Sequence, residues 1–231
     1  MRFSAMSFTD VAAAIEAAGL VPRGGFHPAP EDQVPDLPDG RPAGTVVLAG
    51  DVGGRMWPAF AAARHGGDHP LDAWTRTVLD RVAAATGATA VYPFGGPPYH
   101  PFQRWAQRAE PVTPSPIGIL IHPVWGLWHA YRGALLYAEA FPPPPRVAAP
   151  SPCASCRDRP CLSTCPVGAF TGASYDVARC VAHVRSDRGG ACRDTGCLAR
   201  RACPIGRDHG HGPAQAAFHM AAFVRAHPDA P

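Results

Sequence analysis

The chain has 231 residues, 46% hydrophobic and 17% charged, with 28 prolines set between segments rather than in a low-complexity tail; that balance supports a buried core in one sizeable domain or two small ones and excludes a disordered chain. The formal net charge is +3, with every basic residue an arginine, and is too small for a nucleic-acid footprint. Asp10 and Glu16 interrupt the apolar stretch that an export signal after Arg2 would need, and the longest apolar run, around Ile117 to Leu127, contains His122 and Pro123 and is far short of a membrane span; a cytoplasmic protein without membrane contact is expected.

In chain order, Ser7 or Thr9 caps a first helix with Phe8, Val11, Ala12, Ile15 and Ala18 on one face and Gly19 as its stop. Pro22 to Gly44 is rich in Pro, Gly and Asp and is expected to be loop or cover. Thr45 to Ala49 reads as a buried strand, followed by a helix from Trp57 to Arg64. Leu71, Trp74, Val78, Leu79 and Val82 mark an amphipathic helix closed by Gly87. A strand over Ala88–Tyr92, a helix over Phe102–Ala109, and strands over Ile117–Ile121 and Leu127–Tyr137 follow. This alternation predicts a layered α+β domain over 1–140, then a stiff proline-rich linker over 141–152, a cysteine domain over 153–210, and a closing helix within 211–231.

All eight cysteines fall between Cys153 and Cys203, and residues 1–152 contain none. In a compartment where structural disulfides are rare, that crowding calls for another chemistry. The first half reads Cys153-x2-Cys156-x4-Cys161-x3-Cys165-Pro166; the second supplies Cys180, then Cys192-x4-Cys197-x5-Cys203-Pro204. Bacterial-type 4Fe-4S binding uses C-x2-C-x2-C-x3-C-P, with the fourth cysteine ligating the other cluster. A tight loop wraps three thiolates around one cubane, and the proline bends the chain away towards the second. On that spacing Cys153, Cys156 and Cys161 hold one cluster, completed by Cys203, and Cys165 crosses over to join Cys180, Cys192 and Cys197 on the other. The second gap and the last two are wider than in the usual run. Structural zinc, which wants paired C-x2-C knuckles where one exists here, a single cluster with spare thiols, and a disulfide scaffold are the alternatives.

From residue 117 onward the chain resembles the epoxyqueuosine reductase family of cobalamin-dependent iron–sulfur enzymes. The matching landmarks are Leu120-Ile121-His122-Pro123, Gly126-x-Trp128, Gly133 with the apolar run to Tyr137, the first cysteine quartet with Pro166, and Ala178-Arg179-Cys180. Gly44 to Leu48, and Gly118 to Pro123 leading to Trp128, Arg132 and Gly133, are similar to CblC-type vitamin B12-processing proteins. The resemblance implies a flavin-reductase/nitroreductase-like α+β domain followed by a small bacterial ferredoxin-like two-cluster domain. It implies a corrinoid or flavin near His122, Trp128 and Arg132, with Arg132 offering a fork to an anionic group, two 4Fe-4S clusters, and an electron-donor protein of flavodoxin or ferredoxin-reductase type as partner. No catalytic carboxylate is placed within Glu110–Pro116, and no helical-repeat extension resembling a tRNA-docking module follows Cys203, so action on tRNA is not expected. An electron carrier without its own cofactor pocket is the competing reading.

Bland readings stand beside these. His122 serves equally as a turn residue, Trp125 and Trp128 as core aromatics, and Arg132 as a salt-bridged strand residue. Gly50 to Arg55 matches neither the Rossmann nor the P-loop spacing and reads as a capped turn. His209-Gly210-His211-Gly212 reads as a polar connector rather than a metal site.

Overall fold

The computed structural model describes residues 6–64 and 66–228; Arg2 lies outside them. In chain order the regular elements are α1 (Phe8–Ala17), β1 (Val21–Phe26), β2 (Thr45–Val52), α2 (Trp57–Ala63), α3 (Pro70–Thr86), β3 (Thr89–Val91), α4 (Phe102–Ala109), β4 (Thr113–Pro114), β5 (Leu120–Ile121) and β6 (His129–Tyr137). Six further helices follow: α5 (Pro152–Ser155), α6 (Pro160–Ser163), α7 (Val177–Arg185), α8 (Gly190–Thr195), α9 (Leu198–Arg201) and α10 (Pro213–Arg225). The fold is mixed, with a small sheet and antiparallel pairings, in keeping with the α+β class. No helix among the described residues is long and apolar enough to cross a membrane.

The chain forms two compact units. One comprises the residues up to Pro111 together with Ala130–Ala148, and the other comprises Val112–His129 together with the residues from Ala149 on. A boundary drawn at 140 follows chain order, whereas the units interleave: the segment 112–129 groups with the cysteines.

In the first unit four strands pair in the order β1-β2-β6-β3. All eight residues of β2 are buried, which is why it reads as an unbroken apolar run rather than an alternating one. Val46 and Leu48 join Phe26, Ala134, Leu136 and the α4 residues Phe102, Trp105 and Ala109 in one apolar cluster; Trp105 Nε1 donates to the Asp32 carbonyl at 2.7 Å. α1 begins as expected: Ser7 and Asp10 form a reciprocal capping box. α3 ends at Gly87 with φ 72°, the left-handed stop predicted for it. β2 runs on through Val52, so the turn expected over Gly50–Arg55 begins only at Gly53; Asp51 Oδ1 accepts the Met56 N–H across it at 2.9 Å, and its carboxylate serves the chain itself.

Two expectations are corrected. Pro22 to Gly44 is not all loop, because Val21–Phe26 forms β1, an edge strand paired antiparallel with β2 and bulged between Pro22 and Gly25. Pro and Gly mask it in the sequence, yet edge positions and bulges are where a sheet tolerates them. The strand expected over Ile117–Ile121 shrinks to Leu120–Ile121, since Gly118 at φ 84° turns the chain.

β1 also carries Arg23, which is fully buried. Its Nε and Nη2 donate to the Glu110 carboxylate, at 3.0 and 2.6 Å, and its Nη1 donates to the Asp51 carbonyl at 2.8 Å. Tyr131 donates its hydroxyl to Glu110 and lies under the guanidinium, 4.6 Å from ring centroid to Cζ. Burial raises the Tyr131 phenol well above its ordinary range. A buried ion pair loses most when one partner goes, because the other charge is stranded. Arg23→Met is therefore expected to cost about 3–5 kcal/mol in urea denaturation, and a loss below about 1 kcal/mol would mean that water reaches Glu110.

Candidate metal centre

Short helices deliver the cysteines. Pro152 and Pro160 open α5 and α6 at the first helical position, where a fixed φ costs nothing, and set Cys153 and Cys161 in first turns. Cys180 lies on α7, Cys192 on α8, Cys197 caps α9, and Cys203 follows it. Cys192 and Cys203 are buried and the other six half-buried; all eight are free thiols.

The eight divide into two sets of four. Cys153, Cys156, Cys161 and Cys203 line one cavity of about 200 Å³, closed otherwise by Pro116, Ile121, Pro152, Pro160, Pro204 and Ile205, with Ser155 and Arg159. Burial pushes Cys153, Cys161 and Cys203 above the ordinary thiol range, and members of the same set push them further: Cys203, Cys161 and Cys156 act on Cys153, Cys203 and Cys156 on Cys161, and Cys156 on Cys203. Cys180, Cys192 and Cys197 are likewise raised by burial; Cys165 and Cys192 add to this at Cys180, Cys165 at Cys192, and Cys180 and Cys192 at Cys197. Cys203 joins Ile117, Ile121, Leu127, Phe170 and Ala199 in one apolar cluster, against which Cys153, Cys161, Cys165 and Cys197 pack.

The first set suits an iron–sulfur cluster, in which four thiolates surround a cationic core. A cubane attaches every thiolate to a different iron, so it needs four sulfurs around a void rather than converging on a point. Among the described residues no three His, Cys, Asp or Glu side chains converge on a point where one metal ion could sit. Backbone N–H groups turn towards the sulfurs, as anionic sulfur requires. Ala169 donates to Cys165 Sγ at 3.3 Å, and Leu162, Leu198 and Ile205 favour the ionised forms of Cys161, Cys192 and Cys203. Arg200 and Ala199 do the same for Cys197. The buried side-chain donors Ser115 Oγ and Gln215 Nε2, which lack a protein partner among the described residues, both belong to this unit.

The position of Cys203 depends on a backbone contact. His122 and Gly126 bond N–H to carbonyl in both directions, and Gly126, at φ 57°, sits so close to the following segment that a Cβ there would come within 2.0 Å of the Ile205 carbonyl oxygen. Gly206 answers it at φ 69°, with its Cβ position 2.4 Å from the Trp125 carbonyl carbon. The 122–126 turn thus seats directly on the chain leaving Cys203-Pro204.

His122 organises that turn. Its ring is buried, its Nδ1 accepts the N–H groups of Val124 and Trp125 at 3.1 and 3.3 Å, and it stacks on Trp125 at 4.2 Å. Trp128 is buried in the same unit, with the Arg200 guanidinium 4.4 Å above its ring and His211 edge-on at 5.2 Å. Arg132 belongs to the other unit, on β6, where it pairs with Asp72 and bonds Thr75 from α3 and lies over Phe94. Glu110, in the stretch where no catalytic acid was placed, accepts hydrogen bonds from Arg23 and Tyr131. His211 contacts His219, and burial with the neighbouring Arg200 holds its imidazole down to about 3, neutral at ordinary pH.

Sequence reasoning missed Arg23, Arg159 and Tyr175, whose hydroxyl lies within hydrogen-bonding reach of Cys180. None carries a motif; Arg159 could have been singled out only by its place in the widened Cys156–Cys161 gap.

No protein-family model matches the chain, and no curated protein matches it. Among solved structures, a selenomethionine-labelled epoxyqueuosine reductase superposes with a TM-score of 0.50 at 14% identity, over 90% of this chain and 68% of that one. An epoxyqueuosine reductase with an epoxyqueuosine-modified tRNA-Tyr stem loop gives 0.49 at 14%, covering 88% and 66%. One from Bacillus subtilis, with its catalytic aspartate loop swung out of the active site, gives 0.49 at 14%, covering 89% and 68%. At such identity the likeness is one of fold, and the chain spans about two thirds of the length of these proteins.

Gly126→Ala is expected to lower stability by at least about 1–2 kcal/mol from its left-handed φ alone, and further through the clash with Ile205. An unchanged thermal midpoint would show that the turn does not bear on the Cys203 segment.

Proposed function

We propose that this chain is an iron–sulfur oxidoreductase of epoxyqueuosine reductase-like build, holding two 4Fe-4S clusters and relaying electrons to a corrinoid or flavin held by its flavin-reductase-like amino-terminal part. The carrying observation is the division of eight thiols into two sets of four, one of them around a cavity of about 200 Å³. Cys153, Cys156, Cys161 and Cys203 hold the first cluster; Cys165, Cys180, Cys192 and Cys197 hold the second. When bound, the clusters supply one-electron transfer at potentials set by burial and by hydrogen bonds to sulfur. The protein's part is to keep water from Cys192 and Cys203, to direct backbone N–H groups at the sulfurs, and to hold the two sets on one apolar core. Electrons enter from a flavodoxin- or ferredoxin-reductase-type donor in the cytoplasm.

One observation favours the second reading, an electron carrier without a cofactor pocket: His122, Trp128 and Arg132 are each engaged by protein partners. Corrinoid and flavin titrations of the anaerobically purified protein separate the two. Arg132→Ala is expected to weaken uptake without lowering iron content; absence of any uptake by the unaltered protein leaves the carrier.

For the clusters themselves, Cys156→Ala is expected to remove one of two paramagnetic resonance signals of the reduced protein and about half the iron, leaving the other signal in place. Loss of all iron, or none, would contradict the two-set assignment.

A further inference from the structure

Between Cys156 and Cys161 stand Arg157, Asp158, Arg159 and Pro160, two residues more than the usual ligand loop contains. In this bulge Arg159 adopts φ 39° and ψ 56°, one of two non-glycine residues with positive φ among those described. Pro160 begins α6 and disfavours the right-handed region for the residue before it. Instead of the extended region that a following proline favours, Arg159 takes the left-handed one, which is sterically costly for arginine and free for glycine. The costly conformation brings the side chain to a particular place. Arg159 lines the cavity bounded by Cys153, Cys156, Cys161 and Cys203 and is the one arginine or carboxylate residue to do so. Among the described residues its guanidinium has no hydrogen-bond or ion-pair partner.

We propose that Arg159 is a positioning residue for electrons: its unpaired charge at the first cysteine set raises the reduction potential of the cluster held there. This rests on the two-cluster reading. A cluster that accepts an electron gains one negative charge, and a cation beside it stabilises the reduced form more than the oxidised one. The neighbouring Pro116, Ile121, Pro152, Pro160, Pro204 and Ile205 side chains offer no competing charge, and Arg207, whose Nε donates to the Cys203 carbonyl at 3.4 Å, lies outside the cavity lining; the interaction is screened chiefly from the solvent side, where Arg159 is exposed. The widened gap, on this account, places a charge without displacing a ligand.

Glycine at this position removes the charge and relieves the backbone together, so the variant is expected to fold. The full chain, Arg159→Gly and Arg159→Lys are purified without oxygen, assayed for iron and sulfide, melted, and titrated with dithionite under paramagnetic resonance. Arg159→Gly is expected to keep its iron, melt no earlier than the unaltered chain, and show a more negative midpoint for the signal that Cys156→Ala abolishes, with the other midpoint unmoved. Arg159→Lys is expected to hold the original midpoint. Full iron with both midpoints unchanged in Arg159→Gly overturns the electrostatic role. Loss of iron or of stability in Arg159→Gly overturns it too, by making the residue a backbone element. Absence of iron and sulfide from the unaltered chain removes the cluster reading itself, and this role with it.

Discussion

Cys203 stands at the far end of the cysteine-bearing unit and yet shares a cavity with Cys153, Cys156 and Cys161 from its beginning. That return, pinned where Gly126 meets Ile205, brings buried sulfurs into each other's field. As neutral thiols they pack as small apolar groups. Ionised, they repel one another in a poorly solvated interior, which is the sense in which burial and neighbouring cysteines push them upward. A cationic iron core among them would remove the conflict. Cys153, Cys161, Cys165 and Cys197 pack against the cluster of Ile117, Ile121, Leu127, Phe170, Ala199 and Cys203, so ligation would add to what holds this unit folded.

The first unit solves a similar problem by direct pairing. Arg23 lies at zero exposure and is tolerable there because Glu110, Asp51 and Tyr131 meet its donors. The network ties an edge strand, the end of α4 and the paired strands β2 and β6. It also occupies the carboxylate nearest the segment in which a catalytic acid was sought. Arg132 is drawn to Asp72 on α3 in the same way. Both arginines act within the first unit as fasteners of its sheet and helices.

The sequence was legible where one local rule governs. The Ser7–Asp10 box, the Gly87 stop, the continuous apolar run of β2 and the helix over Phe102–Ala109 all follow from such rules. The crowding of the cysteines into one unit was legible too, because all eight lie between Cys153 and Cys203. What stayed hidden depends on distant partners. β1 was obscured because Pro22, Gly24 and Gly25 signal loop, whereas its strand character comes from pairing with β2 and its buried Arg23 from Glu110. The grouping of 112–129 with the cysteines had no local mark either, since it turns on a backbone approach between Gly126 and Gly206. His122 was visible as a residue of interest, but its bonds to Val124 and Trp125 depend on the turn's conformation and not on its sequence neighbours alone.

The claim on which the rest stands is that this chain carries two cubanes. Iron, acid-labile sulfide and zinc measured on protein purified without oxygen address it most directly. About eight irons and eight sulfides per chain, without zinc, are the predicted result. Zinc without sulfide would contradict the account, and about four irons would confine it to one cysteine set.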